Sequence, residues 1–390
     1  MREKLAPGEA RSRPSRSERK ALPGDARRHN RALVLRTLFR SGPMSRADLA
    51  RATHLTRAIT SELVADFLGE GLVEQLGTRP DQGVGKPATL LGIVPDAYLV
   101  VAIDLSDDAR FSGALVNLAG KVLAHRSVDR RRRTGEAAAK LVVDLATELA
   151  GSASAEAARP VLGIGIGTPG VVDHAGAVLE APNLGWHDLD LAGRLAMELP
   201  YPVHVANDAN AAALAELTFG DAPDHERNLL LVKIGHGVGA GVIIDGRLVL
   251  GTHFAAGEIG HVVVDPRGDR CACGRTGCLE TAVAAPLLRQ RLAHTAGDGR
   301  AAARVLASAG RRLGEALAPV VSTLNLRQVV LSGPLDVLDE PFRRSALDTV
   351  RRRTMPAVGD YVDLRFSSLG EDDVLLGAAV LVLDRELGIA

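Results

Sequence analysis

Three cysteines, Cys271, Cys273 and Cys278, fall within one short stretch, and His261 lies upstream of the first. They are all the cysteines the chain has. Three thiolates and one imidazole make a closed tetrahedral donor set of the kind that holds structural zinc. Gly274 and Gly277 let the loop between the sulfurs fold back so that they converge. Glu258 stands just before His261 and Glu280 just after Cys278, so a metal clamp here would also pin two carboxylates near each other. Three ordinary buried thiols in a reducing cytosol are the plainer alternative, but they give no reason for the pattern C-x-C-x4-C beside a histidine. A disulfide fits an odd count poorly, and no secretory signal points to an oxidising compartment.

The whole segment, E-x-G-H from Glu258 followed by C-x-C-G-x-x-G-C-x-E up to Glu280, resembles the signature of the ROK family. That family holds bacterial sugar kinases, sugar-responsive repressors and open reading frames. The resemblance implies a structural Zn(2+) on His261, Cys271, Cys273 and Cys278, with Glu258 and Glu280 facing a bound sugar. It implies sugar contacts for Asn183, Asn207, Asp208 and His261 as well, in the segments Asn183-Leu-Gly-Trp186, Asn207-Asp208-Ala-Asn210 and around the metal. Sugar hydroxyls donate and accept at once, and amides and carboxylates answer adjacent pairs of them. His261 would then give one ring nitrogen to the metal and the other to a hydroxyl. For Asn207 and Asp208 a helix cap before Ala209 to Leu217 is locally sufficient, although one residue can serve both ends. In the family's kinases the aspartate matching Asp208 is the general base that takes the proton from the attacking sugar hydroxyl. An ATP-dependent sugar kinase using Asp208 is therefore the alternative function.

Three stretches count against that alternative. The kinases open with D-x-G-G-T or similar, whereas this chain reads Asp104-Leu-Ser-Asp107-Asp108-Ala-Arg110. The glycine pair is gone, and two extra carboxylates stand where triphosphate charge would sit. The phosphate loop G-T-G-x-G-x-G becomes Gly235-His-Gly237-Val-Gly239-Ala-Gly241, and the G-G beneath the adenosine becomes Gly333-Pro334. Proline there removes a backbone donor. The sugar and metal motifs are whole while the nucleotide motifs have eroded together, which fits a sensor with no catalytic residue in use.

The elements that must position these groups follow from periodicity. Residues 1–28 are rich in Arg, Ser, Pro and Glu and read as a disordered basic arm. From His29, Leu33, Val34, Leu38 and Phe39 recur at helical spacing, and Ser45 with Asp48 predicts a capped second helix. Thr56 caps a third, with Ile59, Leu63, Val64 and Phe67 on its inner face. Two short strands follow, at Leu72–Leu76 and Ala88–Leu91. Three helices and a hairpin over 29–94 make a winged helix-turn-helix, the head that ROK repressors carry at this end. Arg57, Thr60 and Ser61 of the third helix would face bases, and Arg46, Arg51, Arg79 and Lys86 would touch phosphates. A three-helix module that binds protein, or nothing, is the competing reading.

From residue 98 onward strands alternate with helices, which argues α/β layers. The resemblance implies that 98–390 form a two-lobed actin-like ATPase (ribonuclease H-like) fold, with the last helix after Asp372 packed back on the first lobe. No internal repeat is visible. The run Arg130 to Arg133 reads as a solvated loop. Net charge is zero, yet residues 1–97 carry 17 Lys/Arg against 11 Asp/Glu, so any polyanion belongs at the front. No apolar run reaches the roughly 18 residues of a membrane span. The expected protein is a cytoplasmic, sugar-responsive transcriptional regulator. Its expected partners are operator DNA, a small-molecule sugar effector and further copies of itself, as a homodimer or homotetramer.

Overall fold

The computed structural model describes residues 23–78, 88–156, 159–221, 226–295 and 297–389. Most of the expected basic arm, and the loop that carries Arg79 and Lys86, lie outside the described residues. Helix α1 (Pro23–Ser41) begins six residues before the expected His29, with Pro23 and Asp25 in its first turn. The early residues have little apolar surface, but Arg27 reaches Glu62 and Asp66 of α3 (Arg57–Gly69) at 2.8 and 2.6 Å. Arg31 pairs with Glu70 at 2.7 Å and lies over the Phe67 ring. Between them, α2 (Arg46–Thr53) starts at the Ser45–Asp48 capping box and ends at His54 in the left-handed region. Strands β2 (Val73–Thr78) and β3 (Thr89–Ile93) pair antiparallel, and the two-residue β1 (Met44–Ser45) adds a third strand in the order β1-β3-β2.

The remainder is the same layout built twice, a duplication the residues do not betray. In the first lobe β4 (Leu99–Asp104), β5 (Arg110–Asn117) and β6 (Val122–Asp129) form an antiparallel meander. On the other side of β4, β7 (Val161–Thr168) and β11 (Val203–Asn207) run parallel to it, giving the order β11-β7-β4-β5-β6. In the second lobe β12 (Leu229–Ile234), β13 (Val238–Ile244) and β14 (Arg247–Leu248) form the meander. There β15 (Gln328–Ser332) and β16 (Asp363–Phe366) supply the parallel side, in the order β14-β13-β12-β15-β16. A small sheet of β8 (Val171–Val172), β9 (Val178–Ala181) and β10 (Trp186–Leu189) rises from the first lobe. Helix α4 (Gly135–Glu156) and α5 (Leu191–Glu198) flank that lobe. The second carries α7 (Leu279–Val283), α8 (Ala285–Ala293), α9 (Gly299–Leu324), α10 (Glu340–Arg353) and the short α11 (Pro356–Gly359).

Each half ends in a helix that crosses to the other. Helix α6 (Asp208–Phe219) leaves β11 and packs on β12 and β13, while α12 (Asp373–Val382) leaves the second sheet and packs on β4, β7 and β11. The return of the last helix to the first lobe is as the sequence implied. The two helices touch where a Cβ on Gly377 would sit 1.9 Å from the carbonyl of Ala211, so only small residues permit the crossing. Beyond α12 the chain makes a short π turn, Leu383–Leu387, and docks on the head. Arg36 of α1 donates to the Gly388 carbonyl at 3.1 Å. Val34, Leu35 and Leu38 of α1 share one apolar core with Val100, Ala102, Ala114 and Val116 of the first sheet and with Leu375, Ala379 and Leu383. Head, first lobe and C-terminus are thereby one packed body.

Candidate functional site

Between the lobes lies a cleft of about 930 Å3, within the size of small-molecule sites. All six expected sugar residues, Asn183, Asn207, Asp208, Glu258, His261 and Glu280, line it. They come from four separate places: the 3-10 turn Pro182–Leu184, the end of β11 and start of α6, the loop before the 3-10 turn Ile259–His261, and α7.

The thiol cluster closes the second-lobe wall. The donor atoms of His261, Cys271, Cys273 and Cys278 lie within 4.8 Å of one another, a group that could hold a metal ion. Cys271 Sγ is 3.6 Å from His261 Nδ1, and Cys273 Sγ is 3.6 Å from Cys278 Sγ. Tetrahedral bonds of about 2.0–2.3 Å produce edges of about 3.3–3.8 Å, so these two pairs already have the spacing and the widest would close by up to about 1 Å. The loop can close this tightly because Gly277 has a φ of +75° and a Cβ there would strike the Asp265 carbonyl at 1.5 Å. Burial pushes the Cys271 thiol up to about 12 and raises Cys278, whereas the Arg275 amide lowers the exposed Cys273. Without a cation the buried pair therefore stays protonated, and a metal would bind by displacing those protons. A metal would take Nδ1 of His261, and the other ring nitrogen, Nε2, lies 3.8 Å from Glu258.

Two carboxylates are held beside it. Glu280 accepts from the Val238 amide at 3.1 Å, across a glycine at 237 whose Cβ would sit 3.1 Å from the same oxygen. Burial raises the Glu258 carboxyl, His261 opposes this and Glu280 adds to it. Opposite them, Asn207 is the N-cap of α6: its oxygen accepts from the Asn210 amide at 3.1 Å and its amide donates to the Gly170 carbonyl at 2.9 Å. The cap reading thus describes what Asn207 does here, and it fixes the Gly170 turn against α6 besides. Asn183 is exposed to the cleft.

At the far end stands a residue the sequence reading passed over. Lys233, on β12, is flanked by Asp373, Asp104 and Asp208, and these carboxylates hold its ammonium above the usual lysine range despite burial. Burial pushes Asp208 up to about 6, against Lys233, with Asp104 adding to the rise. Asp373 is itself buried and bonded to Ser332. Nothing in the local pattern marked Lys233, since Leu-Val-Lys-Ile reads as an ordinary strand; only the fold, which brings β4, the start of α6 and the start of α12 to β12, collects its partners. Asp107 and Asp108 do line the cleft, with Asp107 tied to the Ala109 and Arg110 amides at 2.6 and 3.3 Å.

The solvated-loop reading of Arg130 to Arg133 fails at its first member. Arg130 is 7% exposed and donates to the Asn183 carbonyl at 3.1 Å, with Asp108 3.9 Å away. It braces the Asn183 turn from behind, while Arg131 to Arg133 remain exposed.

On the head, Arg57 and Ser61 are exposed at the start of α3, and Arg46 is half-buried at the start of α2. Thr60 does not face solvent. It is fully buried with its hydroxyl on the Thr56 carbonyl at 3.0 Å, while Ile59 is 37% exposed. The inner face runs 60, 63, 64, 67, so Leu63, Val64 and Phe67 lie inside as expected and Thr60 takes the place expected of Ile59. Thr60 tolerates burial because its hydroxyl bonds within the helix. Arg51 pairs with Asp48 of its own helix.

Comparison with known proteins bears on both parts. A model described as the ROK family matches residues 100–385. The xylose repressor of Bacillus spizizenii is 28% identical over 375 residues, covering 92% of this chain and 96% of the repressor. The crystal structure of a ROK family transcriptional regulator, a homolog of the E. coli MLC protein, superposes with a TM-score of 0.81 at 27% identity, over 93% of this chain and 98% of that one. A ROK hexokinase from Thermus thermophilus is 30% identical with a TM-score of 0.60 and covers 73% of this chain but 97% of its own. With more than half its length matched, and its thiol loop and two-lobed cleft in place, this chain belongs to the ROK family.

Proposed function

We propose that the protein is a cytoplasmic, sugar-responsive transcriptional repressor with a winged helix-turn-helix head on an actin-like (ribonuclease H-like) body. In this reading, Arg57 and Ser61 enter the major groove of operator DNA. Arg46 and the wing residues Arg79 and Lys86 meet phosphates. Exposed Ile59 takes the apolar contact that Thr60 cannot make. A homodimer or homotetramer would present paired heads to a pseudo-palindrome. A sugar held by Asn183, Asp208, Glu258, His261 and Glu280 draws the lobes together. Zn(2+) is the metal that three thiolates and an imidazole fit best. When bound it would lock the pose of His261 and Glu280 rather than enter any chemistry.

The observation that carries the reading is the junction of head and body. Because α1 shares one core with the first sheet and with α12, and α12 arrives directly from the second sheet, α12 is the element through which a change in the angle between lobes would reach the head. A ligand acts on DNA only through its different affinity for the two arrangements. The relatives support this: the repressor and regulator cover the head as well as the body, whereas the hexokinase covers a share that fits the body alone. The test is a band-shift with DNA from the protein's own promoter region, with and without glucose, N-acetylglucosamine, mannose, fructose and xylose. Specific retardation with steep salt dependence, altered by one of these sugars, is the expected result. No specific band under any condition would end the proposal.

Kinase activity is the second reading, and one observation favours it: the Asp208 carboxyl, raised to about 6, is poised as a base would be. Against it stands Lys233, which gives that carboxylate a fixed counter-charge. ADP release on mixing protein, Mg-ATP and each sugar separates the two readings.

A further inference from the structure

Resting on the sugar reading of the cleft, we propose that its ligand is an uncharged sugar and that the phosphate ester of the same sugar is rejected. Nine acidic side chains line the cleft against four from Lys and Arg. The cations that could offset a phosphate are already engaged. Lys233 is ringed by Asp104, Asp208 and Asp373. Arg126 is 3.2 Å from Glu148, and Arg289 forms a two-bond pair with Asp336 at 2.7 and 2.9 Å. Among the described residues that leaves Arg110, exposed at the mouth, beside Asp107 and Asp108.

Two backbone donors of the glycine loop are engaged in the same way. The loop of Gly235 to Gly239 has the composition of a phosphate cradle, but its Val238 amide is donated to Glu280 and its Gly235 amide to the Gly237 carbonyl. What remains to meet a ligand is mostly carboxylates, imidazoles, serine hydroxyls and the Asn183 amide. These accept from and donate to hydroxyls, and they repel an added dianion. The preference comes from placement in the fold, since the net charge of the chain is zero.

Isothermal titration of the full-length protein with matched pairs tests this: glucose and glucose 6-phosphate, N-acetylglucosamine and its 6-phosphate, mannose and its 6-phosphate, xylose and its 5-phosphate. For the sugar that binds, the ester should be at least about 30-fold weaker, which is about 2 kcal/mol. The gap should narrow as salt rises. In the double variant Glu180→Gln/Glu371→Gln, which alters two cleft carboxylates outside the sugar-contact set, the gap should also narrow while the free sugar keeps its affinity within about twofold. An ester that binds as well as its parent sugar, or better, overturns the proposal. So does a gap that neither salt nor the double variant moves. If no sugar and no ester binds at all, the sugar reading itself falls, and this inference with it.

Discussion

At one end of the cleft, Glu258 and His261 stand beside a thiol loop that a metal could cinch and Glu280 opens α7, with the Cys271 thiol behind His261 and the Val238 amide on Glu280. At the other end, a lysine from the same lobe meets carboxylates brought in from both lobes, and the side chains do a different job. There Lys233 is surrounded by Asp104, Asp208 and Asp373, and its charge is spent inside the protein. The first end is organised to present polar groups to a visitor; the second is organised to satisfy itself. A shared fold therefore says little about whether both halves of a cleft are in use, and the decisive information is which polar groups already have partners.

The largest expected effect breaks the first end. Cys278→Ser should abolish binding of the one zinc per chain that elemental analysis should find in the wild type. It should lower the melting temperature by more than about 5 °C, because a structural metal contributes folding energy directly. Sugar binding should vanish with it, since His261 and Glu280 lose their anchor. A variant that keeps its metal content, or its sugar affinity without metal, would separate the thiol loop from the site.

Breaking the second end should cost somewhat less. Lys233→Met leaves three carboxylates facing one another, and removing one partner of a buried ionic group costs about 3 kcal/mol. Denaturant unfolding should show that loss at pH 7 and its recovery toward pH 5, where the carboxylates protonate. A loss that does not depend on pH would mean packing, not charge, is at stake.

Asp208 sharpens the comparison because it belongs to both ends. Its carboxyl titrates at about 6 in the fold against 3.8 ordinarily, with Lys233, Asp104 and Asp373 around it. A raised carboxyl favours the folded state fully below the unfolded value and loses that contribution as pH climbs from about 4 to 6. Asp208→Asn should remove this slope and stabilise the protein at pH 7 by up to about 3 kcal/mol. The same substitution should weaken sugar binding about tenfold or more, so stability and affinity move in opposite directions. Equal stability of the two proteins at pH 4 and pH 7 would contradict the account of this group.

The smallest effects concern the head. Arg57→Ala should weaken operator binding by about 1–3 kcal/mol in fluorescence anisotropy, whereas Thr60→Val should leave it within about twofold. The reverse ranking would restore Thr60 to the surface.

Much of this was legible from residue types and spacing, for physical reasons. The Ser45–Asp48 cap and the thiol loop are local patterns in which type and spacing are fixed together, and the six cleft residues followed from the resemblance to the ROK family. What could not be read depends on tertiary register. Whether Ile59 or Thr60 turns inward is left open by Leu63, Val64 and Phe67, which face inward either way, and is decided by packing. Arg130 looks like its three solvated neighbours until the Asn183 turn comes to rest on it. Lys233 sits in an ordinary strand pattern, and its partners arrive from β4, α6 and α12. The duplication is visible only as strand order, and the docking of the C-terminus on α1 joins residues about as far apart as the chain allows.

The most direct test of the central claim is the affinity of the full-length protein for its promoter DNA, followed by anisotropy as sugar is added with no nucleotide present. The account predicts that one neutral sugar alone moves that Kd by at least about tenfold. A Kd that stays constant across all the sugars, or that moves only when ATP is supplied, would contradict it.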